Sequence, residues 1–184
     1  MPLLMLKDLP RYECLLEASR SFPDLDPSAC EAYLNLLRAG DVAYRQSEDF
    51  FTAHNMSPGR FTVLMLLSEG LSGGSLPQTP AELAEKAGVT RATITGLVDT
   101  LERDGLVTRE HDSDDRRMMR VHLTHRGHAA LGEILPGHFK RMATLMATLS
   151  EGERKTLVRL LEKVAGQAST MAAPARAHQD VAVE

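Results

Sequence analysis

The stretch Thr79-Pro80-Ala81-Glu82-Leu83-Ala84-Glu85-Lys86-Ala87-Gly88-Val89-Thr90-Arg91-Ala92-Thr93-Ile94-Thr95-Gly96-Leu97-Val98-Asp99-Thr100-Leu101-Glu102-Arg103-Asp104-Gly105 reads as two short helices around a tight turn. Thr79 and Glu82 form a capping box, in which each side chain satisfies a backbone N–H left open at the helix start. Pro80 sits at the first helical position, where no N–H is needed. Gly88 ends this helix, Thr90 caps the next, and Asp104-Gly105 stops it. This is the pattern of a helix-turn-helix, whose second helix enters the DNA major groove. Downstream, Leu106-Val107-Thr108-Arg109 and Met119-Arg120-Val121-His122-Leu123-Thr124 flank a polar tip, Asp112-Ser113-Asp114-Asp115-Arg116-Arg117. Met119, Val121 and Leu123 alternate with polar residues, the period of a strand, so a β-hairpin wing is expected.

At 184 residues the chain suits one domain with appendages and can bury a hydrophobic core. No apolar run approaches the ~18 residues of a membrane span, and no membrane partner is expected. Met1 to Leu6 lacks the basic start and cleavage site of a signal peptide, which points to the cytoplasm. Cys14 and Cys30 make no disulfide framework. The net charge of −4 does not by itself suggest nucleic acid. The basic charge is local: Arg116, Arg117, Arg120 and Arg126 fall in a stretch without Asp or Glu.

The wing-bearing unit is flanked by helical segments. Pro10 to Ser21 has room for an extra helix before a break at Pro23 to Pro27. A long helix is expected from Ser28 to about His54, with Ala29, Ala32, Leu36 and Ala43 near one face. Ser57-Pro58 caps a compact, largely apolar helix from Gly59 to Glu69, and Gly70 to Gln78 reads as a loop. Thr124 opens a helix that Pro136-Gly137 is expected to kink or interrupt before Leu149. Ser150 and Glu153 form a second capping box, starting a last helix to about Ala168. The Ala-rich end lacks periodic apolar residues and is expected to be disordered.

This order of elements, with Asp114-Asp115-Arg116-Arg117 ahead of Val121-His122-Leu123-Thr124-His125-Arg126-Gly127, resembles the MarR family of bacterial transcription regulators over about residues 30 to 167. The resemblance implies a mainly α (α+β) fold: a winged helix-turn-helix with flanking N- and C-terminal dimerisation helices. Its divisions here are an N-terminal extension (1–25), a dimerisation helix (26–56), a winged DNA-binding lobe (57–126), C-terminal dimerisation helices (127–168) and a tail (169–184). It implies a homodimer, double-stranded DNA with a near-palindromic site, and repression relieved by a small-molecule effector. It implies neither an enzyme nor a cofactor. The stretch before residue 25 departs from the shortest members.

At 100° per residue the helix after Thr90 turns Ile94, Leu97, Val98 and Leu101 to one side. The other side carries Ala92, Thr95, Gly96, Asp99 and Arg103, flanked by Arg91 and Thr93. Arg91 is the candidate for a guanine contact, Thr95 for a second base contact, and the Thr90 and Thr93 hydroxyls suit phosphates. Gly96 is small where a long side chain could read bases. In the wing, Asp115 and Arg117 match the family's Asp-x-Arg tip. An arginine suits the negative potential of the minor groove, Asp115 can fix its direction, and Arg116 can reach adjacent phosphates. A solvated, charged turn is the bland alternative.

For the effector, Arg60 lies in a helix first turn, where a cation opposes the helix dipole and needs an anionic partner. That partner is either the carboxylate of an aromatic acid or an intramolecular Glu48 or Asp49. His54 is a second candidate at the same junction. Two other sensor chemistries are open to these residues. Cys14 could serve a redox-sensing regulator, though Tyr12 and Glu13 give it no positive neighbour. His122, His125 and His128, with His111, invite a zinc reading, yet zinc sites usually recruit Cys or carboxylates and no Asp or Glu sits among His122, His125 and His128, so no metal is expected. A helical enzyme would need a catalytic signature that is absent. A winged-helix protein-interaction module without DNA binding has no need of the doubled arginine at 116 and 117.

Overall fold

The computed structural model describes residues 8–69, 74–112 and 117–172. In chain order the elements are α1 (Tyr12–Ala18), α2 (Pro27–Ala53), α3 (Pro58–Leu67), β1 (Ser68–Glu69), β2 (Gly74–Ser75), α4 (Pro80–Ala87), α5 (Arg91–Arg103), β3 (Val107–His111), β4 (Met119–Leu123), α6 (His125–Met146) and α7 (Glu151–Ala172). The fold is mainly α, with a winged helix-turn-helix. By compactness the chain divides into Met1–His138 and Phe139–Glu184.

Local chemistry sets most of the helix starts. The Asp26 carboxylate accepts from the Ser28 and Ala29 amides at 2.9 and 3.1 Å, and these bonds hold its carboxyl below the usual range. Ser57 caps α3, with Pro58 in the first turn. In α4 the Thr79 amide donates to Glu82 at 2.7 Å, while the Glu82 amide donates to the Thr79 hydroxyl at 3.2 Å. Gly88 closes α4 in the left-handed conformation at φ 65°, where a β-carbon would be strained. Ser150 and Glu153 repeat the capping box at α7.

The core of the first unit gathers Val63, Leu64 and Leu67 from α3, Leu83 from α4, and Ile94, Val98 and Leu101 from α5, all fully buried. Val107 of β3 and Val121 of β4 close it from the wing side, and Phe50, Phe51, Leu131 and Ile134 extend it to α2 and α6. β3 and β4 pair antiparallel, from Val107 opposite Leu123 to His111 opposite Met119.

Four expectations change. The segment read as a loop from Gly70 to Gln78 contributes β2, antiparallel to β1, and an extended Gln78 that bridges to Val121. The Gln78 side-chain amide also donates to the Leu66 carbonyl, one of the open acceptors at the end of α3. α3 therefore stops at Leu67, and Ser68–Glu69 become a strand. Pro136 does not interrupt α6: the helix continues to Met146, because packing of Leu131 and Ile134 outweighs the one hydrogen bond that proline cannot make. α7 runs four residues past Ala168 to Ala172, and the rest of the tail lies outside the described residues.

The longest helices bury little. Of the 27 residues of α2 only Phe50 and Phe51 are buried, leaving Tyr33, Val42 and Tyr44 exposed. In the second unit Phe139, Met142 and Leu145 of α6 and Val158, Leu161 and Val164 of α7 are exposed. No described helix is long and apolar enough to cross a membrane.

Candidate nucleic-acid interface

The face of α5 opposite the buried Ile94, Val98 and Leu101 is open: Thr90, Arg91, Ala92, Thr93, Thr95 and Gly96 are all exposed. The Thr93 amide donates to the Thr90 hydroxyl oxygen at 3.2 Å, and the two threonine hydroxyls pair at 2.9 Å. The helix start is thus ordered before any ligand arrives. The Thr95 hydroxyl donates to the Arg91 carbonyl at 3.0 Å. This leaves Thr95 a methyl group and oxygen lone pairs to present outward. Beyond its own stretch of helix, no atom of the described residues lies within 4 Å of where a Gly96 β-carbon would stand, so the surface there is open.

The wing is held at its base. The Asp112 amide donates to the Met118 carbonyl at 2.9 Å, and the buried Asp112 carboxylate receives the Arg120 guanidinium. Arg120, counted from sequence with the local basic charge, is thereby a structural cation. Its Nη1 also donates to the Pro77 carbonyl at 3.4 Å. Arg117 sits in an exposed turn ahead of β4. Asp115 and Arg116 lie outside the described residues.

Arg109 of β3 was not singled out from sequence. Its Nη1 donates to Glu102 at 2.8 Å and its Nη2 to Asp99 at 2.5 Å, while its backbone amide reaches Glu102 at 3.1 Å. A signal existed in the acidic pair three residues apart on α5, but only the strand's position selects its partner.

Behind α5 a cavity of about 650 Å³ opens between the end of α2, the start of α3, the end of α5 and α6. Both effector candidates line it: His54 and Arg60 share its wall with Met56, Arg103, Asp104, Leu106, Arg126, Ala129, Glu133 and Ile134. The anionic partner of Arg60 is Asp104, not Glu48 or Asp49. Those two side chains are exposed on α2, whereas Asp104 caps the end of α5 against the first turn of α3. A second Arg60 nitrogen donates to the Asn55 carbonyl at 3.3 Å, and its buried Nε has no hydrogen-bond partner among the described residues. His54 Nδ1 pairs with the Phe50 carbonyl at 2.8 Å. Both cysteines are free thiols, Cys14 exposed on α1 and Cys30 half-buried on α2. Among the described residues no group of three or more His, Cys, Asp or Glu is placed to hold a metal ion.

The MarR family pattern matches residues 56–119, from the turn before α3 to the start of β4. The HTH-type transcriptional repressor YetL of Bacillus subtilis is 36% identical over 85% of this chain and 92% of its own length. Among solved structures, the transcriptional repressor CouR bound to a 23-mer DNA duplex is 26% identical, with a TM-score of 0.63 over 72% of this chain and 90% of that one. BpsR of Bordetella bronchiseptica, whose DNA binding is regulated by 6-hydroxynicotinic acid, is 25% identical, with a TM-score of 0.57 over 71% of this chain and 96% of that one.

Proposed function

The chain belongs to the MarR family of transcription regulators, and on that premise we propose that it is a homodimeric, cytoplasmic repressor that binds a near-palindromic operator and leaves it when a small aromatic or phenolic acid binds. Family members are regulators of transcription, not enzymes. One observation carries the reading: α5 buries one face and leaves Thr90, Arg91, Ala92, Thr93, Thr95 and Gly96 exposed beside a paired hairpin. Arg91 reads a base edge, Thr95 presents its methyl and lone pairs to another, and the Thr90 cap and its backbone amides sit on phosphate. Asp115, Arg116 and Arg117 work in the neighbouring minor groove, with Asp115 aiming Arg117.

The exposed apolar residues of α2, α6 and α7 support a second copy as the cover, with a symmetric interface above about 2,000 Å² in total. Two winged lobes then read half-sites about one helical turn apart. The cavity at Arg60 and His54 supports the effector reading, as does the regulation of the similar BpsR by an aromatic acid. An entering carboxylate competes with Asp104 for Arg60, and Asp104 ends the recognition helix.

The test is a gel shift with DNA from beside the protein's own gene, repeated with hydroxybenzoates and hydroxynicotinates. A shifted band that these acids dissolve is expected. Arg91→Ala and Thr95→Ala should relax sequence preference with the fold intact. Uniform weakening on all sequences would contradict base reading by those two side chains. Arg60→Ala should move the effector midpoint, since a tenfold change corresponds to ~1.4 kcal/mol of differential affinity. An unchanged midpoint in a folded, DNA-binding variant would remove Arg60 from the site.

A further inference from the structure

We propose that Arg109 is a positioning residue for DNA reading: it fastens the recognition helix to the wing, so that the major-groove and minor-groove elements meet DNA as one body. The inference rests on α5 and the wing being the DNA-reading elements. Arg109 lies in β3, whose partner β4 begins just after the tip, while both of its carboxylate partners lie on α5. Its side chain is only 23% exposed, so its charge is committed inward rather than offered to phosphate. Its planar fork spans two carboxylates three residues apart, a bidentate geometry that the single ammonium of lysine cannot reproduce. The backbone amide of Arg109 donates to Glu102 as well, so three bonds cross from strand to helix.

Asp99 explains why the fastening matters. It is exposed and falls on the same side of α5 as Ala92, Thr95 and Gly96. A bare carboxylate there would oppose the DNA backbone. Arg109 brings a positive charge to it without itself being a phosphate ligand.

Non-specific binding needs only positive charge near phosphates and tolerates any angle between helix and wing. Specific binding needs bases and minor groove met together, in one register. Losing the fastening should therefore cost specific binding more than non-specific binding. A stabilising residue without this role would change the melting temperature and leave the ratio of the two affinities alone.

The experiment uses the full chain and two duplexes, one selected by the wild-type protein from a random-sequence pool and one scrambled. Arg109→Met keeps an unbranched apolar stem and removes the guanidinium with its charge. The triple variant Arg109→Met, Asp99→Asn, Glu102→Gln also removes the repulsion but restores no fastening. The ratio of affinities for selected over scrambled DNA should fall about tenfold or more in Arg109→Met, the size of one lost base contact. In the triple variant, affinity for scrambled DNA should recover while the ratio stays low. Arg109→Lys, which can hold one carboxylate at a time, should fall between, and it stands in if Arg109→Met does not fold. A wild-type ratio in Arg109→Met and Arg109→Lys would overturn the proposal, as would full recovery of the ratio in the triple variant. A salt dependence reduced by about one phosphate contact per subunit in both Arg109→Met and the triple variant would identify Arg109 as a direct DNA ligand, and would also overturn it. If the wild-type protein selects no sequence, the reading of α5 and the wing fails and the fastening with it.

Discussion

A β-carbon added at Gly127 would stand 2.1 Å from the Leu106 carbonyl oxygen. That oxygen cannot retreat cheaply, because it accepts the Thr124 amide at 3.1 Å, while the Thr124 hydroxyl donates to the neighbouring Gly105 carbonyl at 2.7 Å. The glycine therefore lets the start of α6 lie against the chain entering β3. Gly127→Ala should cost about 2–3 kcal/mol, the scale of a backbone-shifting overpack, read as a lower urea midpoint at unchanged slope. Arg117→Ala belongs to the same scale with a different readout. It should weaken operator binding and lower the salt slope by about one unit per subunit. Asp115→Ala should weaken binding too, although it removes a negative charge. Tighter binding by Asp115→Ala would mean that Arg117 is not aimed by it.

Among the elements, α6 joins the wing to the aromatic packing at the end of α2. His138 lies 5.1 Å from the Phe61 ring and 5.2 Å from the Phe51 ring, and burial pushes its pKa below the usual 6.5. Between the lowered folded value and 6.5 the unfolded chain binds the proton more readily. Stability should thus be full above pH 6.5 and fall as the pH drops below it, levelling off under the folded value. Melting curves from pH 7.5 to about 5 should show that decline, and His138→Phe should flatten it. The helix starts were legible in the sequence because capping is local: Thr79 with Glu82, Thr90 with Thr93, and Ser150 with Glu153 all lie within one turn. So were the strand alternation of β4 and the buried stripe of α5. The choice of Asp104 for Arg60, of Asp99 and Glu102 for Arg109, and of Gln78 for Val121 was not legible, since packing between elements selects those partners. The interruption expected at Pro136 is absent for a related reason: a local preference gave way to the burial of Leu131 and Ile134 in the same helix.

For the molecule as a whole, the division of labour between buried and bare helices is the main physical fact. α3, α4 and α5 bury their larger apolar side chains wholly or partly within the chain, while α7 buries none among the described residues and α2 only its last two aromatics. If a second copy supplies the missing cover, sedimentation should give a dimer at micromolar concentration, and the melting temperature should rise with protein concentration because folding and association are linked. A stable monomer with a concentration-independent melt would contradict this. The uncovered face of α2 then has a genetic consequence. Chains that meet through it pair without regard to the state of each other's wings, so a cell holding equal amounts of wild-type and Arg117→Ala chains would contain about half mixed dimers and a quarter fully competent ones. Each mixed dimer grips one half-site and loses the avidity of two. The Arg117→Ala allele should behave as dominant over wild type in a reporter strain, and an added substitution such as Tyr33→Glu on α2 should make it recessive.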